Sequence, residues 1–192
     1  MMRIITGRAK GVRLDTLEGV ATRPTSERVK EAVFSMLQFD IEGRRVLDLF
    51  SGSGQLALEA VSRGAAEAVL VDRSKDALKI INTNIAKTKM GGQCRVYCLD
   101  WKDYVRRFRG EKFDVIFLDP PYAQGLYAPA LAALLESDML KPKSLIVCES
   151  GSAEIFGKDT ALAGKFSEVK VSRYSKTVIT VLSPAAEKEG EE

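Results

Sequence analysis

The sequence predicts an open α/β sheet with helices on both faces. Three observations carry that expectation. Short apolar runs alternate with stretches of helical periodicity from residue 45 onward. The chain then closes on two runs joined too tightly for a crossover helix, so they read as an antiparallel hairpin. Finally, 192 residues suit one such sheet and leave no room for two full domains.

The elements follow in order. Residues 2–14 read as a short β-hairpin with Gly7 and Gly11 at the turns. A loop over 15–24 ends in Arg23-Pro24. Thr25 then caps a helix with Val29, Ala32, Val33, Met36 and Leu37 at amphipathic spacing. Buried parallel strands are expected at Val46–Phe50, Ala68–Asp72, Arg95–Leu99, Phe113–Asp119 and Leu145–Glu149. Helices are expected between them at Gln55–Arg63, Lys75–Lys87 behind a Ser74 cap, Trp101–Phe108 and Tyr127–Ser137. Phe166–Tyr174 and Thr177–Leu182 make the closing hairpin.

Composition excludes several chemistries. There is no histidine, which removes Ser-His-Asp and Cys-His catalysis and most imidazole-based metal sites. The three cysteines, Cys94, Cys98 and Cys148, form no CxxC, so neither a zinc site nor a disulfide framework is expected. No apolar run reaches membrane-spanning length and no signal peptide opens the chain; a cytoplasmic, non-membrane protein is the expectation. Net charge is +3, but residues 185–192 carry four acids and one lysine and read as a disordered acidic tail. Without them the charge is +6. Residues 1–30 hold seven basic side chains against three acids, and Lys102, Arg106, Arg107, Arg109 and Lys112 form a second basic cluster. Such stretches favour a polyanion partner.

Three polar clusters fall at carboxyl ends of the expected strands, where ligands of open α/β sheets bind. Asp48-Leu49-Phe50-Ser51-Gly52-Ser53-Gly54 joins a strand to a helix; its glycines permit a tight turn and close backbone approach to a ligand. It is no phosphate-binding P-loop, because no Gly-Lys-Ser/Thr follows. Asp72 ends the second strand, eighteen residues after Gly54, where a carboxylate can accept both hydroxyls of a ribose. Asp119-Pro120-Pro121-Tyr122 ends the fourth. There Asp119 and the Pro120 carbonyl can accept both protons of an exocyclic amine while Tyr122 stacks on its ring. The glycines and Asp72 alone also fit a dinucleotide-binding dehydrogenase; the last cluster has no use in one.

Together with Asp100, these segments resemble the successive motifs of class I S-adenosylmethionine-dependent methyltransferases. Arg3-Ile4-Ile5-Thr6-Gly7 and Arg23-Pro24-Thr25-Ser26-Glu27-Arg28-Val29-Lys30-Glu31 resemble, more narrowly, the RsmD family of bacterial 16S rRNA guanine-N2 methyltransferases. The resemblance runs over nearly all of residues 2–183. It implies a Rossmann-like sheet of seven strands with the last antiparallel, over a domain of residues 1–184. Residues 1–40 would be a hairpin-and-helix extension and 41–184 the core.

The same resemblance implies S-adenosylmethionine as cofactor and 16S rRNA within the small ribosomal subunit as partner, with no metal. A monomer is expected. Asp48, Ser51, Gly52, Ser53, Gly54, Asp72, Arg73, Asp100 and Trp101 would hold the cofactor. Asp119, Pro120, Pro121 and Tyr122 would hold the target base. With an rRNA substrate, the basic Arg8, Lys10 and Arg13 would contact phosphates, while Arg23, Thr25 and Arg28 match the family's amino-terminal segment, which would close over the site or face RNA. Gln55 departs from the small residue or threonine commoner at its place. Methylation of a DNA adenine N6 or of a protein, or a non-catalytic RNA-binding assembly factor, are the alternatives.

Overall fold

The computed structural model describes residues 2–17, 27–121 and 125–186. Its elements are α1 (Glu27–Met36), β1 (Arg45–Asp48), α2 (Gln55–Ser62), β2 (Glu67–Asp72), α3 (Lys75–Thr88), β3 (Cys94–Cys98) and α4 (Trp101–Arg107), then β4 (Phe113–Leu118), α5 (Tyr127–Glu136), β5 (Leu140–Ser150), α6 (Thr160–Ala163), β6 (Phe166–Tyr174) and β7 (Thr177–Pro184). Seven strands form one sheet in the order β3-β2-β1-β4-β5-β7-β6. Strands β1 to β5 pair in parallel, and β7 runs antiparallel between β5 and β6. The chain steps outward from β1 to β3, then returns to lay β4 on the other side of β1. That reversal puts the topological switch point between β1 and β4.

Alternation along the central strands builds two cores. Val46, Val115, Phe117 and Val147 pack with the α1–α3 layer. Leu47, Ile116, Leu118 and Cys148 point the other way, into the α4–α6 layer. Val29, Val33 and Leu37 are buried as their spacing predicts. Ser74 caps α3 by accepting from the Ala77 N–H at 3.3 Å.

Three differences from the sequence reading have local causes. The hairpin over 2–14 is a single antiparallel bridge, Arg3 to Arg13, because residues 6–11 turn away to pack on α2. Its arms are joined by Ile4 N–H to Val12 O at 2.9 Å and Leu14 N–H to Met2 O at 3.0 Å. Strand β5 starts at Leu140 rather than Leu145, although Lys141-Pro142-Lys143-Ser144 reads as a loop. A register shift absorbs the extra residues. Ser144 Oγ bridges it, donating to Phe113 O at 2.6 Å and accepting from Lys141 N–H at 2.7 Å. The four-residue α6 has no apolar periodicity to announce it; Asp159 Oδ1 caps it through Leu162 N–H at 2.8 Å. The Thr25 cap and the end of the acidic tail lie outside the described residues.

Candidate active site

Every carboxylate that the sequence singles out stands at the carboxyl end of a strand or one residue beyond it, except Asp100, which opens α4. The turn after β1 is bolted to β2. Ser51 N–H donates to Val71 O at 3.0 Å, and Ser51 Oγ donates to Asp48 O at 2.8 Å while accepting from Val71 N–H at 3.0 Å. Gly52 N–H donates to Asp72 Oδ2 at 2.9 Å, and Ser74 N–H to Asp72 Oδ1 at 2.8 Å. Gly54 is left-handed at φ 77°, which favours glycine, and a Cβ there would lie 2.9 Å from Leu70 Cδ2, so any side chain would also have to displace Leu70. Gly52 is also left-handed at φ 53°, but its missing Cβ would point into open space.

Asp48 is buried and its Oδ1 has no hydrogen-bond partner among the described residues; Gln55 Oε1, at the start of α2, is likewise unpartnered. Burial pushes the Asp48 carboxyl up to about 7, with nearby Asp72 adding to the effect. Two orphaned acceptors beside an open glycine turn are what a ligand bearing donors would satisfy. On the other side of β2, Asp100 Oδ1 caps α4 by accepting from Lys102 N–H at 2.9 Å. One carboxylate oxygen is thereby committed. Trp101 is buried, with Phe50 6.3 Å away between ring centroids, so the two rings wall the same edge.

Across the switch point, Asp119 follows β4 half-buried, Pro120 is buried and Pro121 exposed. Tyr122 lies outside the described residues. Burial first, then the charges of Glu149 and Asp48, hold the Asp119 carboxyl well above its usual range. Glu149, absent from the sequence reading, is 5% exposed at the end of β5. Its signal was present, since it ends an expected strand just as Asp72 and Asp119 do. Asn84 was missed too. It sits on the buried face of α3 with Ala77, Ile81 and Thr88. Its Nδ2 donates to Ser53 O at 2.9 Å and Asp15 O at 3.0 Å, and its Oδ1 accepts from Asp15 N–H at 2.8 Å. A polar side chain on an apolar helix stripe was the clue.

The basic residues are dispersed. Arg8 and Lys10 are exposed but belong to the turn packed on the far end of α2, where Arg8 N–H donates to Ser62 O at 2.9 Å. Eight helical residues, about 12 Å of rise, separate them from the glycine turn. Arg13 is exposed opposite Arg3, and Arg28 is exposed on α1. Arg73 is exposed beside Asp72; Arg23 and Thr25 lie outside the described residues. No group of acids and cysteines among the described residues could hold a metal ion, and no helix there is long and apolar enough to cross a membrane.

Comparison with known proteins agrees with this architecture. A family model described as "Conserved hypothetical protein 95" matches residues 2–183. A Bacillus subtilis protein named "Putative rRNA methyltransferase YlbH" is 37% identical over 77% of this chain and 82% of its own. "Ribosomal RNA small subunit methyltransferase D" of Haemophilus influenzae is 35% identical over 78% of each chain. The solved structure of "Putative methyltransferase yhhF from Escherichia coli" superposes with a TM-score of 0.84 at 30% identity, covering 96% of this chain and 98% of that one. With a match over almost its whole length, the chain belongs to the Conserved hypothetical protein 95 family, the RsmD family that its motifs resemble.

Proposed function

We propose that the protein transfers a methyl group from S-adenosylmethionine to the exocyclic N2 amine of one guanine in 16S rRNA within the small ribosomal subunit. One observation carries the reading: β1 and β4 are neighbours, so the glycine turn and Asp119-Pro120 share one edge of the sheet. The small-subunit rRNA methyltransferase name of a relative 35% identical supports the substrate class. The guanine N2 follows from the motif resemblance.

S-adenosylmethionine supplies a methyl on a positively charged sulfur, which makes it an activated donor. Gly52, whose Cβ position is open, leaves room for its methionine part, and left-handed Gly54 lets the backbone turn beside it, with Asp48, Ser51 and Ser53 shaping the turn. Asp72 holds the ribose, beside Arg73. Asp100 and Trp101 meet the adenine. The guanine N2 lone pair is delocalised into its ring and is a poor nucleophile. Asp119 and the Pro120 carbonyl accept hydrogen bonds from its two N–H groups, favour a pyramidal nitrogen and aim it at the methyl; the methylated nitrogen, strongly acidic, then loses one proton to solvent with no dedicated base. Orientation of this kind contributes up to about 7–11 kcal/mol in well-positioned systems. Asp119 also stabilises the positive charge that develops on nitrogen. Tyr122 stacks on the base, offsetting part of the few kcal/mol, roughly, that unstacking costs. Arg8, Lys10, Arg13, Arg23, Thr25 and Arg28 contact RNA; in a particle as large as a ribosomal subunit, contacts remote from the reacting base still add phosphate neutralisation.

The test is labelled methyl transfer to small subunits lacking their own guanine-N2 methylation, with free 16S rRNA, DNA and a protein extract alongside. Label in N2-methylguanosine from one site is the expected result. Label in adenine or protein would retain the chemistry and discard the substrate. Cofactor binding without transfer would favour the assembly factor. Asp119→Ala should abolish transfer and leave cofactor affinity within about threefold, since one hydrogen bond's worth of affinity is not at stake.

A further inference from the structure

Glu149 has no part in the chemistry above, yet it stands beside the residue that does most of it. Strands β1, β4 and β5 are consecutive in the sheet. Leu118 pairs with Cys148, which sets Asp119 alongside Glu149 one residue on. Leu47, Leu118 and Cys148 all point into the α4–α6 layer. By alternation the residue after each, Asp48, Asp119 and Glu149, is directed to the opposite face. Three carboxylates from three adjacent strands thus converge on one end of the sheet. Asp48 adds an independent sign that the cluster faces something: it is 1% exposed with an oxygen that has no partner among the described residues.

Among the described residues, the charges that reach Asp119 come from Glu149 on β5 and Asp48 on β1. Asp72 of β2 stands behind Asp48. From α5, the Tyr127 hydroxyl donates to the Glu149 backbone carbonyl. Lys30, the buried cation of α1, is paired with Glu59 at 3.3 Å. Adjacent carboxylates shielded from water do not readily ionise together, and the first proton to bind belongs to the pair rather than to either residue.

We propose that Glu149 is a positioning residue for Asp119: its charge, one strand away, holds a proton on Asp119, and release of that proton frees Asp119 to accept the target amine. The proposal rests on the reading of Asp119 as that acceptor. A protonated Asp119 is a weaker acceptor for the amine N–H and offers no negative charge to the nitrogen that becomes positive, so transfer is slow. Loss of the proton leaves an anion that accepts the amine N–H. Glu149 therefore sets the pH at which the site switches on. The sign follows directly. Removing the Glu149 charge makes Asp119 easier to ionise, so the site turns on at lower pH.

The experiment is single-turnover methyl transfer to unmethylated small subunits across about pH 5 to 9, at saturating cofactor. Carbon NMR of labelled aspartate and glutamate carboxyls in the free enzyme runs beside it. Glu149→Gln should move the acid limb of the rate profile, and the Asp119 carboxyl titration, down by at least about one pH unit. Glu149→Asp keeps the charge and should keep the limb near that of the unsubstituted enzyme. Asp119→Asn reads the pair from the other side: the Glu149 titration should fall. It also serves if Glu149→Gln does not fold. An acid limb and carboxyl titrations that ignore these substitutions, while transfer proceeds, would overturn the pairing alone. A coupled titration in an enzyme that transfers nothing at any pH would overturn the acceptor reading and, with it, the role given to Glu149.

Discussion

Gly52 donates its backbone N–H to Asp72 Oδ2 at 2.9 Å, so the turn after β1 and the end of β2 move as one piece. A charge-assisted bond of this kind is stronger than a neutral one. Asp72→Ala removes both the anchor of the turn and the proposed ribose acceptor. Cofactor affinity should fall about 10- to 100-fold, corresponding to roughly 1.5–3 kcal/mol for bonds to a charged group. Isothermal titration calorimetry checks this; unchanged affinity would reject the ribose assignment.

Glu59 ties the amino-terminal segment to α2. It is fully buried and accepts from Ile5 N–H at 2.8 Å, Thr6 N–H at 3.0 Å and Arg63 Nε at 2.8 Å, and pairs with Lys30. Lys30 in turn donates to the Arg3 carbonyl. Burial lowers the Lys30 pKa against the opposing pull of Glu59. Glu59→Ala strands that ammonium and should destabilise the fold by about 3–5 kcal/mol in urea unfolding. Adding Lys30→Met should recover part of the loss. A single variant as stable as the parent would show that the cluster contributes nothing.

Asn84 spans the glycine turn and the amino-terminal segment, bonding both Ser53 and Asp15. Asn84→Ala leaves those backbone groups without partners, at about 1–3 kcal/mol for each that stays buried. Amide exchange at Asp15 should quicken at least tenfold, and cofactor affinity should drop with it. Exchange at Asp15 equal to that of the parent would remove Asn84 from this role.

Asp48 makes stability depend on pH. Its folded pKa, about 7, lies above the ordinary 3.8, so the fold favours the neutral carboxyl. The stabilisation is complete below about pH 4 and is lost as pH rises through 7. A difference of this size corresponds to up to about 4 kcal/mol. Asp48→Asn, which stays neutral, should match the parent near about pH 4 and gain on it steadily to about pH 8 in denaturant unfolding. A gain that did not change with pH would mean that Asp48 ionises freely in the fold.

Much of this architecture was legible along the chain. The alternation of apolar runs with i, i+3, i+4 patterns located β1–β4 and α2–α5 to within a residue or two, because both signals are local and repeat over several positions. The closing hairpin was legible for the same reason: β6 came out as Phe166–Tyr174, and β7 begins at Thr177. The stretch from Lys141 to Ser144 was not, since Lys-Pro-Lys-Ser has loop chemistry and only the partner strand β4 makes it a strand.

The residue types at the candidate site, Asp48 with its glycines, Asp72, Asp100 and Asp119-Pro120-Pro121, were determined by the sequence alone, as was their occurrence at the ends of elements. Tertiary structure decided what each one faces. Glu149 comes alongside Asp119 because β5 lies beside β4, and Asn84 bonds Ser53 because α3 packs over the turn after β1. Arg8 and Lys10 stand at the opposite end of α2 because Gly7 fits against Ser62, where a Cβ would lie 1.8 Å from the carbonyl oxygen. Periodicity reports which way a side chain points within its own element. The neighbour it meets depends on strand order and packing, which are contacts between residues far apart in the chain and leave no repeating local pattern.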